Sequence, residues 1–552
     1  MLKAVSCLLI LAVSTWASRL SNGRSHANMA PVPIVPIIAH DSSKSVTSSN
    51  GTELPPLNTT YYFEQLIDHN NPSLGTFKQR FWHTAQYYET GGPIVLLTPG
   101  EDNAELYTFF LTNETFNGQI AQQQNGATIV LEHRYYGLSN PFNNLSTASL
   151  EFHTIQQAID DLAYFANNVK LPQPDGGDVT PDKAPWVLVG GSYSGALTGW
   201  TLANKPGVFA AGYASSAVSE AIINFWQYYD PIRQFMPQNC SADVQAVVAH
   251  IDKTFTSGTT DEINFIKDTF GLGNVTHLDD VAGALRNNLW DWQSLSPTSG
   301  PGSQFFDFCD ALEVKNGVSA GSDGWGLDHA LSAWGAYWKS FYYVEICEDL
   351  DAETCLGTYD PTQAYWTDIS IDNWVRSWSW SLCNELGFSL VGAPEGTPSI
   401  TSRLIQPEYY ERQCAYLFPE KFITAISPNA NATNKEYGGW DIQADNLFFA
   451  NGKRDPWRDA TVSSDFHTRQ STDLQPIALS DGFHCSDLIS ASGVDPTILA
   501  VQQEALSKIK EWLSAWTPPS ASEEGKHEPV PTQSQSGSHI VKPLNSWLHF
   551  LL

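Results

Sequence analysis

Two closely spaced serines stand where an apolar run meets a pair of glycines, in the stretch WVLVGGSYSGAL at residues 186–197. A serine on a sharp strand-to-helix turn presents its hydroxyl at the top of a sheet, and small neighbours are needed because the backbone and the helix come close together. A strict Gly-x-Ser-x-Gly pattern fits neither serine, whereas a looser pattern of small residues admits both Ser192 and Ser194. The apolar run ends at Gly190, which favours Ser192 as the nucleophile and leaves Ser194 as a small packing residue.

A serine nucleophile needs a base, and the base needs a carboxylate that orients it. The apolar run at 446–452 is followed by KRDPWRD, and the run at 475–482 is followed by FHCSD. We predict that His484 is the base and that Asp455 orients it, in the chain order Ser, Asp, His that is typical of α/β hydrolases. Asp459 is the alternative, but Asp455 lies nearer the strand end and Pro456 stiffens the loop after it. Three other histidines lack such a position and are expected to be structural or exposed: His133, His153 and His467.

Short apolar runs supply the elements that must position these residues. Continuous apolar character predicts strands that are buried on both faces, as in a parallel sheet. Between them, residues 154–169 place Ile155, Ile159 and Leu162 on one stripe of a helix. Alternation of strand and helix predicts an α/β fold with a mostly parallel sheet. The predicted strands lie at 93–100, 127–137, 186–191, 209–216, 446–452 and 475–482.

The strand pattern is interrupted from about residue 217 to 437, where helical segments such as 244–255 and most of the cysteines occur. We predict a large, mainly helical cap inserted between two parts of the core, residues 58–216 and 438–517. Seven cysteines follow Cys7, so one thiol should remain unpaired in an oxidising compartment. Pairing the six cap cysteines locally, as one of many possible arrangements, gives Cys240 with Cys309, Cys347 with Cys355 and Cys383 with Cys414.

Both ends of the chain differ from its middle. Residues 1–17 have the layout of a secretory signal peptide, with Lys3 before an apolar stretch and small residues near Ala17. Residues 18–57 and 518–552 are rich in Ser and Pro without periodicity, and we interpret them as a flexible leader or propeptide and a disordered tail. The following asparagines begin glycosylation sequons: Asn50, Asn58, Asn113, Asn144, Asn239, Asn274 and Asn431. Secretion with N-linked glycans is the expectation.

The overall charge excludes several kinds of partner. The 552 residues carry 29 Lys and Arg against 59 Asp and Glu, a formal net charge of −30. Such a chain repels nucleic-acid phosphates and anionic membrane surfaces. No apolar run is long enough for a membrane anchor, and no Cys-x-x-Cys or His-Glu-x-x-His pattern suggests a metal site. We therefore expect no nucleic acid, membrane anchor, metal or cofactor.

Four motifs also resemble one family of serine peptidases. GGSYSGAL, EHRYYG (132–137), NGKRDPW (451–457) and GFHCSD (482–487) are similar to motifs of the family that includes lysosomal prolyl carboxypeptidase, dipeptidyl peptidase II and the secreted fungal acid prolyl endopeptidases. The resemblance extends from about Phe63 to Trp516 and looks closest to the fungal branch. It implies an α/β-hydrolase core with a helical cap, and it supports Ser192, Asp455 and His484 as the catalytic residues. Two departures are Ser194, where the family often has Gly or Ala, and Cys485, where some relatives have a second histidine.

The resemblance further implies cleavage of peptides and proteins after proline, in an extracellular or a vacuolar or lysosome-like acidic compartment. The backbone N–H of Tyr193 should be one oxyanion donor, with a second near Gly100 or Glu101. Trp457 is placed to form one wall of a proline pocket, and Trp378 and Trp380 of the cap are candidates for others, although tryptophans are also common core residues.

Some alternatives stay open at this point. The same elbow serves secreted carboxylester hydrolases and lipases, and the same fold also occurs as catalytically inactive binding proteins. Family members differ in whether they remove a C-terminal residue, remove an N-terminal dipeptide or cut internally, and the cap geometry that decides this is not readable from the sequence.

Overall fold

The computed structural model describes residues 26–33, 35–173, 178–423 and 427–518. Within them the strands are β1 (Val46–Thr47), β2 (Glu53–Leu54), β3 (Tyr61–Leu66), β4 (Thr76–Thr84), β5 (Ile94–Leu97), β6 (Ala127–Leu131), β7 (Trp186–Gly191), β8 (Ala211–Ser215), β9 (Ile222–Asn224), β10 (Val314–Lys315), β11 (Val318–Ser319), β12 (Gly387–Ser389), β13 (Leu447–Gly452) and β14 (Ile477–Ser480).

The helices alternate with the strands in the core and cluster in the middle of the chain. They are α1 (Phe116–Gln124), α2 (Ile155–Asn168), α3 (Ser192–Asn204), α4 (Tyr229–Phe235), α5 (Gln238–Ser257), α6 (Thr260–Thr269), α7 (Leu278–Leu285), α8 (Asn287–Trp290), α9 (Gln304–Glu313), α10 (Leu327–Tyr337), α11 (Tyr343–Cys347), α12 (Ala352–Leu356), α13 (Ala364–Thr367), α14 (Trp374–Ser381), α15 (Pro407–Leu417), α16 (Ala430–Tyr437) and α17 (Pro496–Ala515).

Eight strands form the central sheet in the order β14-β13-β8-β7-β5-β6-β4-β3. The six strands β14, β13, β8, β7, β5 and β6 pair with their neighbours in parallel. Strands β4 and β3 extend the sheet beyond β6 and pair antiparallel. Each of the six predicted apolar runs contains one of the parallel strands. Strands β5, β6, β7, β8 and β13 are buried along their whole length, because helices cover both faces. The predicted α/β-hydrolase fold is confirmed.

The alternation of side chains along the strands divides the core into two layers. Ile94 and Leu96 of β5 face α2 and α3, whereas Val95 and Leu97 face α1 and α17. Helix α2 begins where predicted, since the Thr154 side chain accepts a hydrogen bond from the backbone N–H of Gln157. The two layers leave the carboxyl ends of the parallel strands free to carry loops.

Helices α4–α16 lie between β8 and β13 in the chain, where the cap is expected. Three disulfides stabilise this region and join the cysteines that were predicted to pair: Cys240–Cys309, Cys347–Cys355 and Cys383–Cys414. Cys485 is a free, buried thiol next to His484. In addition, β9 and β12 pair in parallel at the base of this helical region.

The N-terminal segment differs from the expected flexible leader. Ala27, Asn28 and Val35 are at most 1% exposed, so residues 26–33 and 35 pack against the fold, whereas most residues from 37 to 53 are exposed. Met29 and Val32 of this segment are buried as well, although the sequence shows no periodicity there. Most of the predicted signal peptide, leader start and tail lie outside the described residues, which begin at 26 and end at 518.

Two features are absent from the described part of the chain, a membrane-spanning helix and a cluster of metal ligands. This part of the chain contains no helix that combines the length and the apolar character needed to cross a bilayer. The same residues contain no group of three or more His, Cys, Asp or Glu side chains arranged to hold a metal ion.

Candidate active site

A strained turn joins strand β7 to helix α3 at Ser192. Its φ is 59°, a left-handed conformation that is costly for a residue with a side chain. The turn is also crowded, because a Cβ atom on Gly190 would lie 2.1 Å from the carbonyl oxygen of Ser194, and one on Gly195 would lie 2.7 Å from that of Ser215. Only glycine fits these two positions, which explains the small residues on either side of the serines.

The two serines have different surroundings. The hydroxyl of Ser194 donates to the carbonyl of Gly191 at 2.7 Å and accepts from the backbone N–H of Gly191 at 3.0 Å. Ser194 therefore closes the first turn of α3 and has no free hydroxyl. The hydroxyl of Ser192 is buried and has no hydrogen-bond partner among the described residues. The arrangement supports Ser192 as the nucleophile and Ser194 as a structural residue.

Asp455 and His484 come together from the loops after β13 and β14. Nδ1 of His484 lies 2.9 Å from Oδ1 of Asp455, which also accepts the backbone N–H of Trp457 at 2.9 Å. Both residues are almost completely buried. Nε2 of His484 is buried too and has no partner among the described residues, as a base waiting for a serine proton would be.

The two loops are held in register by their backbones. The backbone N–H of Lys453 donates to the carbonyl oxygen of Ser480 at 2.9 Å, and the backbone N–H of Arg454 donates to that of Gly482 at 3.0 Å. A Cβ atom on Gly452 would lie 2.4 Å from the carbonyl oxygen of Gly482, so glycine permits this close approach. Parallel pairing of β13 with β14 therefore continues into the loops and fixes the distance between Asp455 and His484.

Asp459, the alternative orienting residue, serves another purpose. Its Oδ1 accepts the backbone N–H of Asp465 at 2.7 Å and the hydroxyl of Ser464 at 3.3 Å. The side chain thus stabilises its own loop. The preference for Asp455 agrees with this geometry.

The serine turn and the histidine loop are neighbours at the carboxyl edge of the sheet. Gly191 pairs with Ser215 of β8, and β8 pairs with β13. A Cβ atom on Gly191 would lie 2.9 Å from Sγ of Cys485, and the backbone N–H of Cys485 donates to Ser216 at 3.0 Å. The residues immediately beside Ser192 and His484 are therefore in contact.

The charge state of His484 is controlled by two opposing effects. Burial lowers the pKa of His484, but the adjacent Asp455 carboxylate favours the imidazolium by more, so the pKa lies well above its usual range. The imidazole is consequently a strong proton acceptor. His133 behaves in the opposite way, because burial without a paired carboxylate lowers its pKa to about 4.

The loop that carries Gly100 and Glu101 approaches the serine turn at Tyr193 and Ser194. Gly100 has a φ of 82° and approaches Ser194, since a Cβ atom there would lie 3.1 Å from Cβ of Ser194. The carboxyl group of Glu101 is buried, and neither oxygen has a hydrogen-bond partner among the described residues. Burial raises the pKa of Glu101 well above its usual range, although its own backbone N–H, the imidazole of His484 and the N–H of Tyr193 oppose that shift. The sequence motif points only to backbone donors at this position and carries no signal for a role of the carboxyl group.

The three candidate pocket tryptophans lie in different places. The ring of Trp457 packs against Phe225, Tyr228 and Phe388 at centroid distances of 5.2 to 5.6 Å and lies 6.4 Å from the ring of His484. Trp378 contacts the ring of Tyr193 at 5.6 Å. Trp457 is therefore near the histidine, and Trp378 contacts the residue that follows Ser192.

Trp380 does not share their position. Its ring packs against Phe418 at 5.1 Å, and its Nε1–H donates to the carbonyl of His153 at 3.0 Å. Residues two apart on a helix point in different directions, so Trp378 and Trp380 of α14 cannot line one pocket together. The expectation for Trp380 is not supported by these contacts, which are those of a core residue.

Two residues that hold parts of the site in place, Glu132 and Gln293, were not predicted from the sequence. Glu132 of the EHRYYG motif receives two hydrogen bonds from Arg80, at 2.6 and 2.8 Å, and one from the backbone N–H of Ala104 at 3.1 Å. It thereby fixes the loop that carries Glu101. Gln293 of the cap accepts hydrogen bonds from Trp457 Nε1 at 2.7 Å and from the Tyr228 hydroxyl at 3.1 Å. Glu132 belongs to a motif that could have signalled a role, whereas nothing around Gln293 in the sequence does so.

Comparison with known proteins places these residues in a family context. The sequence model of the family described as serine carboxypeptidase S28 matches residues 65–280 and 337–506, which is more than half of the chain. The matched ranges contain Ser192, Asp455 and His484, whereas Gln293 falls in the unmatched part between them.

Several known proteins are similar to this chain over most of their length. The serine protease vicPa of Bipolaris victoriae is 36% identical, covering 82% of this chain and 88% of its own. A probable extracellular serine carboxypeptidase of Arthroderma benhamiae is 30% identical, covering 93% and 74%. The lysosomal Pro-X carboxypeptidase of Pongo abelii is 25% identical, covering 84% and 91%.

Asp455 and Asp459 offer a matched test of the site, because both are buried aspartates of the same loop. We expect Asp455→Asn to lower kcat by about 10⁴-fold, since an amide holds the imidazole in the wrong tautomer and cannot stabilise its charge. Asp459→Asn should stay within about tenfold of the unchanged protein, because it touches only its own loop. Steady-state hydrolysis of a chromogenic substrate measures both variants. Equal losses for the two variants, or a larger loss for Asp459→Asn, would contradict this site.

Proposed function

The chain belongs to the serine carboxypeptidase S28 family, and we propose that it is a secreted peptidase that cleaves after proline in acidic surroundings, with Ser192, His484 and Asp455 as its catalytic residues. Membership of the family makes it a serine-type peptidase. One observation carries the residue assignment: the buried His484–Asp455 pair leaves Nε2 of His484 without a partner at the same sheet edge as the equally unpartnered hydroxyl of Ser192.

The reaction follows from these positions. Oγ of Ser192 attacks the peptide carbonyl carbon while its proton passes to Nε2 of His484. The carbon–nitrogen bond then breaks, the proton passes from His484 to the leaving amine, and the acyl group remains on Ser192 until water, activated by the same imidazole, releases it. Asp455 keeps Nδ1 protonated and offsets the positive charge of the ring in both steps.

Proline preference is supported by the aromatic cluster beside the histidine. Trp457, Phe225, Tyr228 and Phe388 form flat apolar walls, and all four are buried. The pyrrolidine ring of proline is compact and apolar and has no N–H to satisfy, so such walls suit it better than a polar side chain. The relative from Pongo abelii, named Pro-X carboxypeptidase, points in the same direction.

Acidic operation is supported by Glu101. A neutral carboxyl group can donate its O–H to a developing oxyanion beside the N–H of Tyr193, whereas an ionised carboxylate would repel the same charge. The raised pKa of Glu101 extends the neutral form upward in pH. Because His484 must be unprotonated and Glu101 protonated in the active form, activity should be bell-shaped in pH. The raised pKa of His484 moves the acid limb of this profile to higher pH than an ordinary histidine would give, so the support for acidic operation comes from the carboxyl groups and not from the histidine.

Other buried carboxyl groups favour an acidic habitat through stability. Burial raises the pKa of Glu385 to about 7 and that of Asp459 and Asp487 to about 6. Below their unfolded values, near pH 4, these groups are neutral in both the folded and unfolded states and do not penalise folding. Between that pH and the folded values the unfolded chain ionises these groups while the folded protein keeps them protonated, so stability falls over this range and the full penalty remains at neutral pH.

Secretion is supported by the covalent chemistry and the surface. Three disulfides are expected only in an oxidising compartment. None of the seven sequon asparagines is buried, so all are open to N-linked glycans. The names of two relatives, an extracellular and a lysosomal enzyme, agree with a secretory route that ends outside the cell or in an acidic vacuole.

A panel of internally quenched peptides tests the proposed specificity, with one Pro or one Ala at the cleavage position and either end blocked. We expect kcat/KM to favour Pro by at least about tenfold, since one well-filled apolar pocket is worth about 1–3 kcal/mol. Trp457→Leu should reduce this preference for Pro, because Trp457 lies beside His484. Trp380→Phe should leave the preference unchanged, because Trp380 lies in the core of the cap.

The blocked ends of the same peptides separate exopeptidase from endopeptidase action. Turnover of acyl esters without cleavage of any prolyl peptide would instead indicate a carboxylester hydrolase. Absence of both activities would indicate an inactive binding protein.

The Glu101→Gln variant tests the acidic limit directly. An amide has the size of a carboxylic acid and donates hydrogen bonds at every pH. We expect the decline of kcat/KM toward neutral pH to disappear or move upward in this variant, with the acid limb retained because it still reports His484. An unchanged pH profile would show that Glu101 does not set the alkaline limb.

A further inference from the structure

The side chains of the candidate active site are shielded from solvent. Ser192, Trp457 and His484 are 0%, 2% and 3% exposed, which leaves no space for a peptide to reach the serine hydroxyl. Part of this cover comes from the N-terminal end of the chain, residues 26–33 and 35, which we call the N-terminal strap. The described residues of its second half belong to no helix or strand and include Pro31 and Pro33.

The first half of the strap is anchored in the cap. The side-chain amide of Asn28 donates to the carbonyl oxygens of Asp280 and Leu356, at 3.0 and 2.6 Å. The ring of His26 stacks on Tyr365 at a centroid distance of 4.6 Å. Met29, Ala30 and Val32 line a cavity together with Trp378 of the cap.

The second half of the strap reaches the serine turn. Nε2 of Gln293 donates to the carbonyl oxygen of Val32 at 3.3 Å, and Oε1 of the same side chain holds the Trp457 indole. A side-chain methyl of Val35 lies 2.9 Å from the point that a Cβ atom on Gly191 would occupy. The hydroxyl of Tyr107 donates to the carbonyl of Val35 at 3.3 Å. The strap thus passes beside both Trp457 and the residue that precedes Ser192.

We propose that the N-terminal strap occupies the substrate cleft as an intramolecular, substrate-like ligand, and that Gln293 is a binding residue for the peptide backbone. The cleft receives a proline-containing peptide, buries its valine side chains and hydrogen-bonds its backbone carbonyls. None of these interactions depends on the strap being part of the same chain. A substrate peptide of the same chemistry competes for the same contacts.

The regulatory consequence rests on the proposed peptidase function. While the strap is in place the enzyme is latent, and its displacement or removal opens the site. Gln293 lies outside the two segments that the family model matches.

Covalent labelling of Ser192 by a fluorophosphonate measures access to the site in the full chain. Val35→Asp cannot remain buried without a partner and should release the strap, which raises the labelling rate at least tenfold. Ile37→Asp is the matched control, since Ile37 lies two residues beyond the strap and is 46% exposed, and it should label at the rate of the unchanged chain.

A second route avoids any effect of these substitutions on folding. A recognition sequence for a specific protease is placed at residues 39–45, most of which are exposed, and the folded protein is then cut. Cutting should raise the labelling rate by the same factor as Val35→Asp. Equal rates before and after the cut, with the strap fragment shown to have dissociated, would overturn the proposal.

Peptide binding distinguishes failure of the strap from failure of the proposed function. A fluorescent peptide of residues 26–38 should bind the cut protein carrying Ser192→Ala, and the uncut protein at least tenfold more weakly. Gln293→Ala should weaken binding to the cut protein by about 3- to 10-fold, as expected for one neutral hydrogen bond. If the peptide does not bind the cut protein, the proposal that the strap occupies the cleft is overturned, whatever the activity. If the peptide binds but the cut protein with Ser192 intact hydrolyses no peptide, only the proposed peptidase function is contradicted.

Discussion

The hydrogen bond between His484 and Asp455 is the interaction on which the rest of the site depends. Both groups are buried, so removing either partner leaves an uncompensated polar group or charge, at a cost of about 3–5 kcal/mol for a broken buried pair. Parallel pairing of β13 with β14 supplies the required register, and Gly452 allows the two loops to approach. Ser192 reaches the same edge because the turn after β7 accepts a left-handed residue. The catalytic arrangement is therefore a consequence of how neighbouring parallel strands end.

Burial gives the site its electrostatic character and also closes it. Desolvation raises the pKa of Glu101, strengthens the attraction between His484 and Asp455, and leaves the Ser192 hydroxyl without water. The same low exposure excludes substrate, and the strap provides part of that exclusion. In this account the raised pKa of Glu101 and the latency of the full chain have one physical origin, the close packing of cap, core and strap around the carboxyl edge of the sheet.

The sequence predicted the parts of the structure that local pattern determines. Buried apolar runs marked the parallel strands, the strand end at Gly190 favoured Ser192 over Ser194, and proximity along the chain was sufficient to pair the cap cysteines. Features that depend on long-range packing were missed. Trp380 was grouped with Trp378 although they face different ways on α14, and the strap was expected to be flexible although it is buried. Gln293, in the cap and far in sequence from its partners Val32 and Trp457, carried no signal that pattern or spacing could reveal.

Identification of the residue that reacts covalently tests the central claim most directly. The strap-free protein is treated with excess fluorophosphonate, digested, and analysed by peptide mass spectrometry. The account predicts a single phosphonyl group on Ser192, with Ser194 unmodified because its hydroxyl is bound to the backbone of Gly191. Modification of Ser194 in place of Ser192, or no modification of the 186–197 segment, would contradict it.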